Sequence, residues 1–404
     1  MAKACRPTPK PPRCGSRPER ERAPDRQTRM NTKPSSIQLA PLAARMQRLL
    51  RPDVQGLHAY AVQPSAGLVK LDTMENPFGL PPALQQALGE RLGRVALNRY
   101  PAERTEDLKR ALALHAHLPE GCELMLGNGS DELISLLTLA LDVPGHVVMA
   151  PLPGFVMYEM SAKLQGVRFV GVPTTADFEL DLPAMLDAIA QHQPALIWLA
   201  YPNNPTANLW DASAIERIIE AAPGLVVMDE AYQPFAERDS MAWMQRHDHV
   251  LVMRTMSKFG LAGVRIGYLM GRTALVRELD KLRPPFNVSV LNAEAALFAL
   301  EHADEYTRQA GLIRSERERV LQALARHPGV RVFDSQANMV LLRLPAGCDP
   351  ARVFAGIKAR KVLIKNVSGL HPLLAGCLRV TIGTPEENTL LLAAFEAALQ
   401  ESRP

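Results

Sequence analysis

No run of apolar residues in this 404-residue chain approaches the length of a membrane span, which excludes a transmembrane helix from the reading. Cysteine is sparse: Cys5, Cys14, Cys122, Cys348 and Cys377 are scattered, odd in number and never spaced as Cys-x-x-Cys. Such a pattern argues against a disulfide framework and against a bound metal, and it suits a reducing, cytoplasmic compartment. The first residues lack the apolar core of a secretory signal, and their acids and many prolines fit a transit helix poorly. Internal repeats are missing, and low-complexity sequence is confined to the amino-terminal leader.

What is present has ordinary proportions. Hydrophobic residues make up 47% and charged residues 22%, as in soluble globular proteins. The length exceeds what one hydrophobic core usually serves, so two domains are expected. The net charge of +4 is unevenly placed: residues 1–34 carry ten Lys or Arg against Glu19, Glu21 and Asp25, which leaves the remainder at −3. The folded body is therefore mildly acidic, with no signature of a nucleic-acid partner. Residues 1–36 read as a disordered basic leader, because a Pro- and Arg-rich segment buries no core. Met30 opens a more ordinary sequence, so residues 1–29 also read as an over-extended start; the sequence leaves both open.

From about residue 82 to 282, helical patterns alternate with the short apolar runs His146–Ala150, Ala195–Ala200, Leu225–Met228 and Val250–Met253. That alternation predicts an α/β fold, a mostly parallel sheet flanked by helices on both faces. Ligands of such sheets sit beyond the carboxyl ends of the strands. After about residue 289 the pattern changes to two long helices. Short strands follow near Ala337–Leu342, Val362–Lys365 and Leu378–Ile382, with a helix from about Pro385, as expected of a smaller α/β domain.

Four segments carry chemistry. In Leu126-Gly127-Asn128-Gly129-Ser130-Asp131-Glu132, glycines lead into a helix, whose exposed amides form an anion site. Taken alone, that segment is better explained as an ordinary turn N-capped by Ser130 or Asp131. Tyr201-Pro202-Asn203-Asn204-Pro205-Thr206 is a loop after a strand, and an amide there is placed to donate to a phenolate oxygen. In Val226-Val227-Met228-Asp229-Glu230-Ala231-Tyr232, an acid ends a buried strand and so wants a cation, such as a protonated pyridine. Tyr232 turns toward the same ligand or simply fills the core. In the segment from Arg254 to Gly267, Lys258 follows a strand amid small residues and hydroxyls. Desolvation and nearby cations there would lower its pKa and make it a nucleophile. Thr255, Ser257 and Arg265 supply contacts that suit a phosphate.

In joint order, these segments resemble the fold-type I pyridoxal-phosphate-dependent aminotransferases over about residues 55–400. The resemblance implies a large cofactor-binding domain at 76–288, a small domain at 289–404, and an arm at 37–75 serving the dimer and the small domain. Lys258 looks like the Schiff-base lysine and proton shuttle, Asp229 the partner of the pyridine nitrogen, and Asn204 and Tyr232 the hydrogen-bonding partners of the 3-hydroxyl oxygen. Gly129, Ser130, Ser257 and Arg265 are implied to hold the cofactor phosphate, Asp131 and Thr255 to bind the cofactor, and Phe155 to stack on the ring.

Within that class, Glu75-Asn76-Pro77, Asn98-Arg99-Tyr100-Pro101 and Gly376 to Thr384 resemble the histidinol-phosphate aminotransferases. Membership implies a homodimer with shared sites, Tyr100 reaching the cofactor phosphate of the other subunit. The substrates implied are histidinol phosphate and the glutamate/2-oxoglutarate pair, bound by Tyr60, Asn76, Lys365 and Arg379. Lysine at 365 departs from the arginine of many members; it neutralises a phosphate as a point charge, without a bidentate fork. Phe155 stands where others have tyrosine. Rival readings are an aminotransferase for aromatic or other amino acids, a phospho-amino-acid decarboxylase of the same fold, or a non-enzymatic regulator. The last would need a folded DNA-binding module, which the leader is too short to supply.

Overall fold

The computed structural model describes residues 41–56 and 63–402; the leader and Tyr60 lie outside the described residues. Residues 41–56 belong to a separate unit containing the helices Leu42–Leu49 and Pro52–Gln55, the second starting on a proline that suits a first helical turn.

In the main body, strand β1 spans Val69–Lys70, and seven further strands form one sheet. These are β2 (Cys122–Gly127), β3 (Val147–Leu152), β4 (Arg168–Pro173), β5 (Leu196–Ala200), β6 (Leu225–Asp229), β7 (Val250–Thr255) and β8 (Gly267–Arg272). Their spatial order is β2-β8-β7-β6-β5-β3-β4. Only β8 is reversed: it pairs antiparallel with both β2 and β7, and every other pairing is parallel. Each of the expected apolar runs between residues 146 and 253 became a strand of this sheet, and the chain is α/β as expected.

Alternation with period two explains why helices cover both faces. Ile197, Leu199, Val226, Met228, Val250 and Val252 enter one core, which they share with Leu108, Leu112 and Ala293 of flanking helices. Leu196, Trp198, Val227, Leu251 and Met253 enter the opposite core with Leu133, Ile134 and Tyr158. Helix starts are set by local chemistry as well: the side chains of Asp181, Asp211 and Asp349 each accept a backbone N–H from the first turn of the helix that follows.

Later in the chain come β9 (Arg331–Val332), β10 (Met339–Arg343), β11 (Val362–Leu363), β12 (Lys365–Asn366) and β13 (Cys377–Thr381). The single strand expected over Val362–Lys365 is two. β11 pairs parallel with β1, whereas β12 joins the antiparallel sheet β12-β13-β10-β9. Buried Ile364 separates them, so the residues on either side serve different sheets. Helices Ala303–Ala325, Pro350–Ala359 and Pro385–Ser402 supply the apolar side chains of a third core around β10 and β13.

Candidate active site

Because β8 alone is reversed, the carboxyl ends of β2, β3, β5, β6 and β7 all point to one edge of the large sheet. The segments that follow them enclose a cavity of about 550 Å³. Ser130 and Asp131 line it from the turn after β2, Phe155 from the turn after β3, and Asn204 from the loop after β5. Asp229 and Tyr232 reach it from β6 and the turn beyond; Thr255, Ser257, Lys258 and Arg265 reach it from β7 and the irregular helical turns before β8.

Asp229 is 4% exposed and ends its strand without a charged partner among the described residues. Its Oδ1 accepts the Ala231 N–H at 3.0 Å, and its Oδ2 accepts the Tyr158 hydroxyl at 2.6 Å. Burial pushes its carboxyl up to about 6, although both hydrogen bonds favour the ionised form. The next residue is a useful contrast. Glu230 is also buried, but Arg254 Nε stands 2.7 Å from it, so that acid has its cation within the chain.

Lys258 Nζ donates to the Thr73 carbonyl at 2.9 Å and lies 6.0 Å from the centre of the Tyr232 ring. Burial lowers the amine to about 8; Arg379 and Arg265 act in the same direction, while Glu75 and Asp131 oppose them. Asn204 Nδ2 donates to the Tyr232 hydroxyl at 3.0 Å, and Arg379 Nη1 donates to Asn204 Oδ1. Arg379 Nη2 is held by the Asp72 carbonyl at 2.9 Å.

At the other end of the cavity, the first turn of the helix Ser130–Ala140 meets a hydroxyl pair and a guanidinium. Thr255 Oγ1 and Ser257 Oγ are 3.1 Å apart, and Arg265 Nη1 reaches Ser257 Oγ at 3.4 Å. Arg265 Nη2 is 3.4 Å from the Asp131 carboxylate. The expected cap by Ser130 or Asp131 does not form: Gly129 occupies the cap position at φ 80°, where it needs no Cβ, and Ser130 is the first helical residue. A Cβ at Gly129 would stand 2.5 Å from Arg265 Nη2, so glycine is what lets the guanidinium close over the helix end.

Other anticipated residues lie elsewhere. Asn76 does not line the cavity; its amide donates to Gln309 Oε1 at 2.9 Å and its Oδ1 accepts the Phe78 N–H. Tyr100 is 78% exposed, stacked on Phe286 at 4.4 Å, and borders a separate cavity with Arg91, Arg104 and Glu294. Lys365 is outside the main cavity, yet its register partner across the β12–β13 pair is Arg379. Directly opposed residues share a face, so both basic side chains leave the sheet on the same side. Tyr158 went unnoticed in the sequence. Its signal was its place one helical turn past Phe155, on the helix leaving β3, which brings it under the end of β6.

The profile of the family described as aminotransferase class I and II matches residues 66–395. The histidinol-phosphate aminotransferase of Methylibium petroleiphilum is 66% identical over 362 residues, 89% of this chain and 97% of that one. That of Polaromonas naphthalenivorans is 61% identical over 361 residues, covering 89% and 98%. The structure of histidinol-phosphate aminotransferase from Sinorhizobium meliloti in complex with pyridoxal-5'-phosphate is similar at a TM-score of 0.76. It is 27% identical, with 87% of this chain and 98% of that chain covered.

Proposed function

The chain belongs to the class I and II aminotransferases and, within them, to the histidinol-phosphate aminotransferases, and from that premise we propose its reaction and the roles of its residues. It exchanges an amino group between L-histidinol phosphate and 2-oxoglutarate, giving imidazole-acetol phosphate and L-glutamate, as a cytoplasmic homodimer in histidine biosynthesis.

Pyridoxal phosphate is the cofactor, and the donor set fits it. A buried carboxylate with neutral donors only, Asp229, suits a protonated ring nitrogen, and the helix end beside Arg265 suits a dianionic phosphate. When bound, the cofactor supplies a carbonyl carbon for an amine and a ring that takes up the electrons left when the substrate Cα loses its proton. Asp229 would keep the ring nitrogen protonated. Asn204 and Tyr232 would hydrogen-bond the phenolic oxygen, and Phe155 would stack on the ring. Gly129, Ser130, Asp131, Thr255, Ser257 and Arg265 would hold the phosphate, with Asp131 contributing through its amide, since its carboxylate is turned to Arg265. Lys258 would anchor the cofactor through its amine, and a pKa near 8 suits that amine to accept the proton from the substrate Cα. Positioned beside its target, the amine needs no diffusional encounter.

The observation that carries the substrate reading is the Lys365–Arg379 cross-strand pair, with Arg379 also bonded to Asn204. Like charges directly opposed on a sheet are unfavourable unless an anion joins them. The substrate phosphate is that anion; Asn76, expected to bind substrate, instead spends its amide on Gln309 and Phe78. Exposed Tyr100 supports an active site shared between subunits, its ring reaching the cofactor phosphate of a second copy. Steady-state assays with L-histidinol phosphate, histidine and aromatic amino acids, each against 2-oxoglutarate, test the reading. A strong preference for a free α-carboxylate would assign Arg379 to that group and overturn it.

A further inference from the structure

We propose that Tyr158 is a positioning residue for the ring nitrogen of the cofactor: its phenol fixes the carboxylate of Asp229 in the orientation that faces that nitrogen. The proposal rests on the pairing of Asp229 with the ring nitrogen.

The two oxygens of Asp229 are each held by one donor, Oδ1 by the Ala231 N–H at 3.0 Å and Oδ2 by Tyr158 Oη at 2.6 Å. One donor would leave the side chain free to rotate about the retained bond; two on different oxygens fix both torsions. Each oxygen keeps a further lone pair for a ligand in the cavity. The distance from Tyr158 is that of a charge-assisted O–H···O⁻ bond, the stronger kind.

Tyr158 is itself rigidly set. Its ring lies parallel to that of Trp198 on β5, with centres 4.7 Å apart and an angle of 5°, and Phe155 meets it edge-on at 5.6 Å. It is 2% exposed, yet it lines the cavity, so the phenol faces the ligand space from inside the core. Burial and the adjacent carboxylate push the phenol well above its ordinary pKa, so it remains a donor throughout the working range. Besides Tyr158, the groups facing Asp229 are Asp131 and Glu230, which raise its carboxyl, and Tyr232; Lys258 and Arg265 line the same cavity. Removing the phenolic hydroxyl leaves Asp229 with a single donor against these neighbours, and its neutral form, useless to a protonated ring nitrogen, then persists to higher pH.

The test uses the full-length enzyme freed of cofactor, with the dissociation constant of pyridoxal phosphate titrated by absorbance from pH 6 to 8.5. Tyr158→Phe keeps the stacked ring. It should weaken binding about tenfold at pH 8, as loss of one charged hydrogen bond does, and the deficit should widen toward pH 6. Asp229→Asn alone should also weaken binding, and adding Tyr158→Phe to it should change little more, because the phenol acts through that carboxylate. A loss from Tyr158→Phe that is equal at every pH, or that adds in full to that of Asp229→Asn, shows a packing role and overturns the proposal. If Asp229→Asn weakens binding while Tyr158→Phe leaves it unchanged, the proposal alone fails. If Asp229→Asn binds as tightly as wild type, the ring-nitrogen pairing fails and takes the proposal with it. Should Tyr158→Phe fail to fold, 3-fluorotyrosine at position 158 keeps the ring and strengthens the donor. Binding must then tighten, and unchanged or weaker binding overturns the proposal.

Discussion

Removing the charge from Asp229 should make the cofactor-free protein more stable while abolishing most of its activity. In the folded chain its carboxyl lies at about 6, against an ordinary 3.8. A pKa raised on folding means the native state prefers the protonated acid, so ionisation works against the fold. The penalty is absent below pH 3.8, grows as the pH rises toward 6, and is complete above it. At about 1.4 kcal/mol per pH unit, the ceiling is about 3 kcal/mol. Asp229→Asn removes that penalty, falling short of the ceiling to the extent that its new amide lacks an acceptor. Urea unfolding of both apo-proteins, at one protein concentration and at several pH values, reads the difference directly. The two should be nearly equal near pH 4, with the variant ahead by up to about 3 kcal/mol at pH 8. With cofactor present the order should narrow or reverse, because wild type then gains its ion pair. Turnover of the variant should fall by on the order of 10² or more, as when a preorganised electrostatic partner is lost. A stability gap that is the same at pH 4 and pH 8, or a wild-type apo-protein more stable at pH 8, would refute the reasoning.

Borohydride treatment of the holoenzyme should abolish its visible absorbance and leave a reduced adduct that peptide mapping finds on Lys258; an adduct on another lysine refutes the assignment. In the apo-protein the same amine should lose its proton near pH 8, so its labelling by an aldehyde reagent should rise through that pH, well before that of ordinary lysines. Each charge-assisted contact from Lys365 and Arg379 is worth about 1.5–3 kcal/mol, so histidinol phosphate should exceed histidinol by about two to four decades in kcat/KM. Arg379→Ala should shrink that ratio more than it slows histidinol itself; equal handling of both compounds by wild type counts against the phosphate site. Mixing Lys258→Ala with Tyr100→Ala subunits should restore activity, since a hybrid dimer contains one site with both residues; no recovery after proven subunit exchange counts against sharing.

The sequence disclosed the parts of this site where chemistry demands an unusual residue. An acid ending an all-apolar strand and a lysine beside hydroxyls are costly placements, and both stand out against the pattern of a core. Tyr158 did not stand out, because a tyrosine on an amphipathic helix is what a core ordinarily contains. Its role depends on which strand the helix passes, and that is a tertiary fact. The same holds for Lys365 and Arg379: thirteen residues lie between them, and only the register of β12 on β13 makes them neighbours. The run Val362–Lys365 looked like one strand because apolar continuity does not reveal that its two ends pair with different partners.

The register of β12 has a consequence for how such an enzyme can change. β12 is two residues long, while Arg379 is fixed on its other side by pairing with Leu341 of β10. A one-residue slip in a strand turns every side chain to the opposite face. A one-residue slip of β12 on β13 would therefore swing Lys365 away from Arg379 and leave Lys258 and Asp229 untouched, because Asp229 ends a strand of another sheet and Lys258 follows the neighbouring strand of that sheet. With the roles proposed for these residues, substrate charge and bond chemistry are thus inherited separately. A lineage could drift toward less anionic amines by shifting the register of one two-residue strand, with no mutation at Asp229 or Lys258.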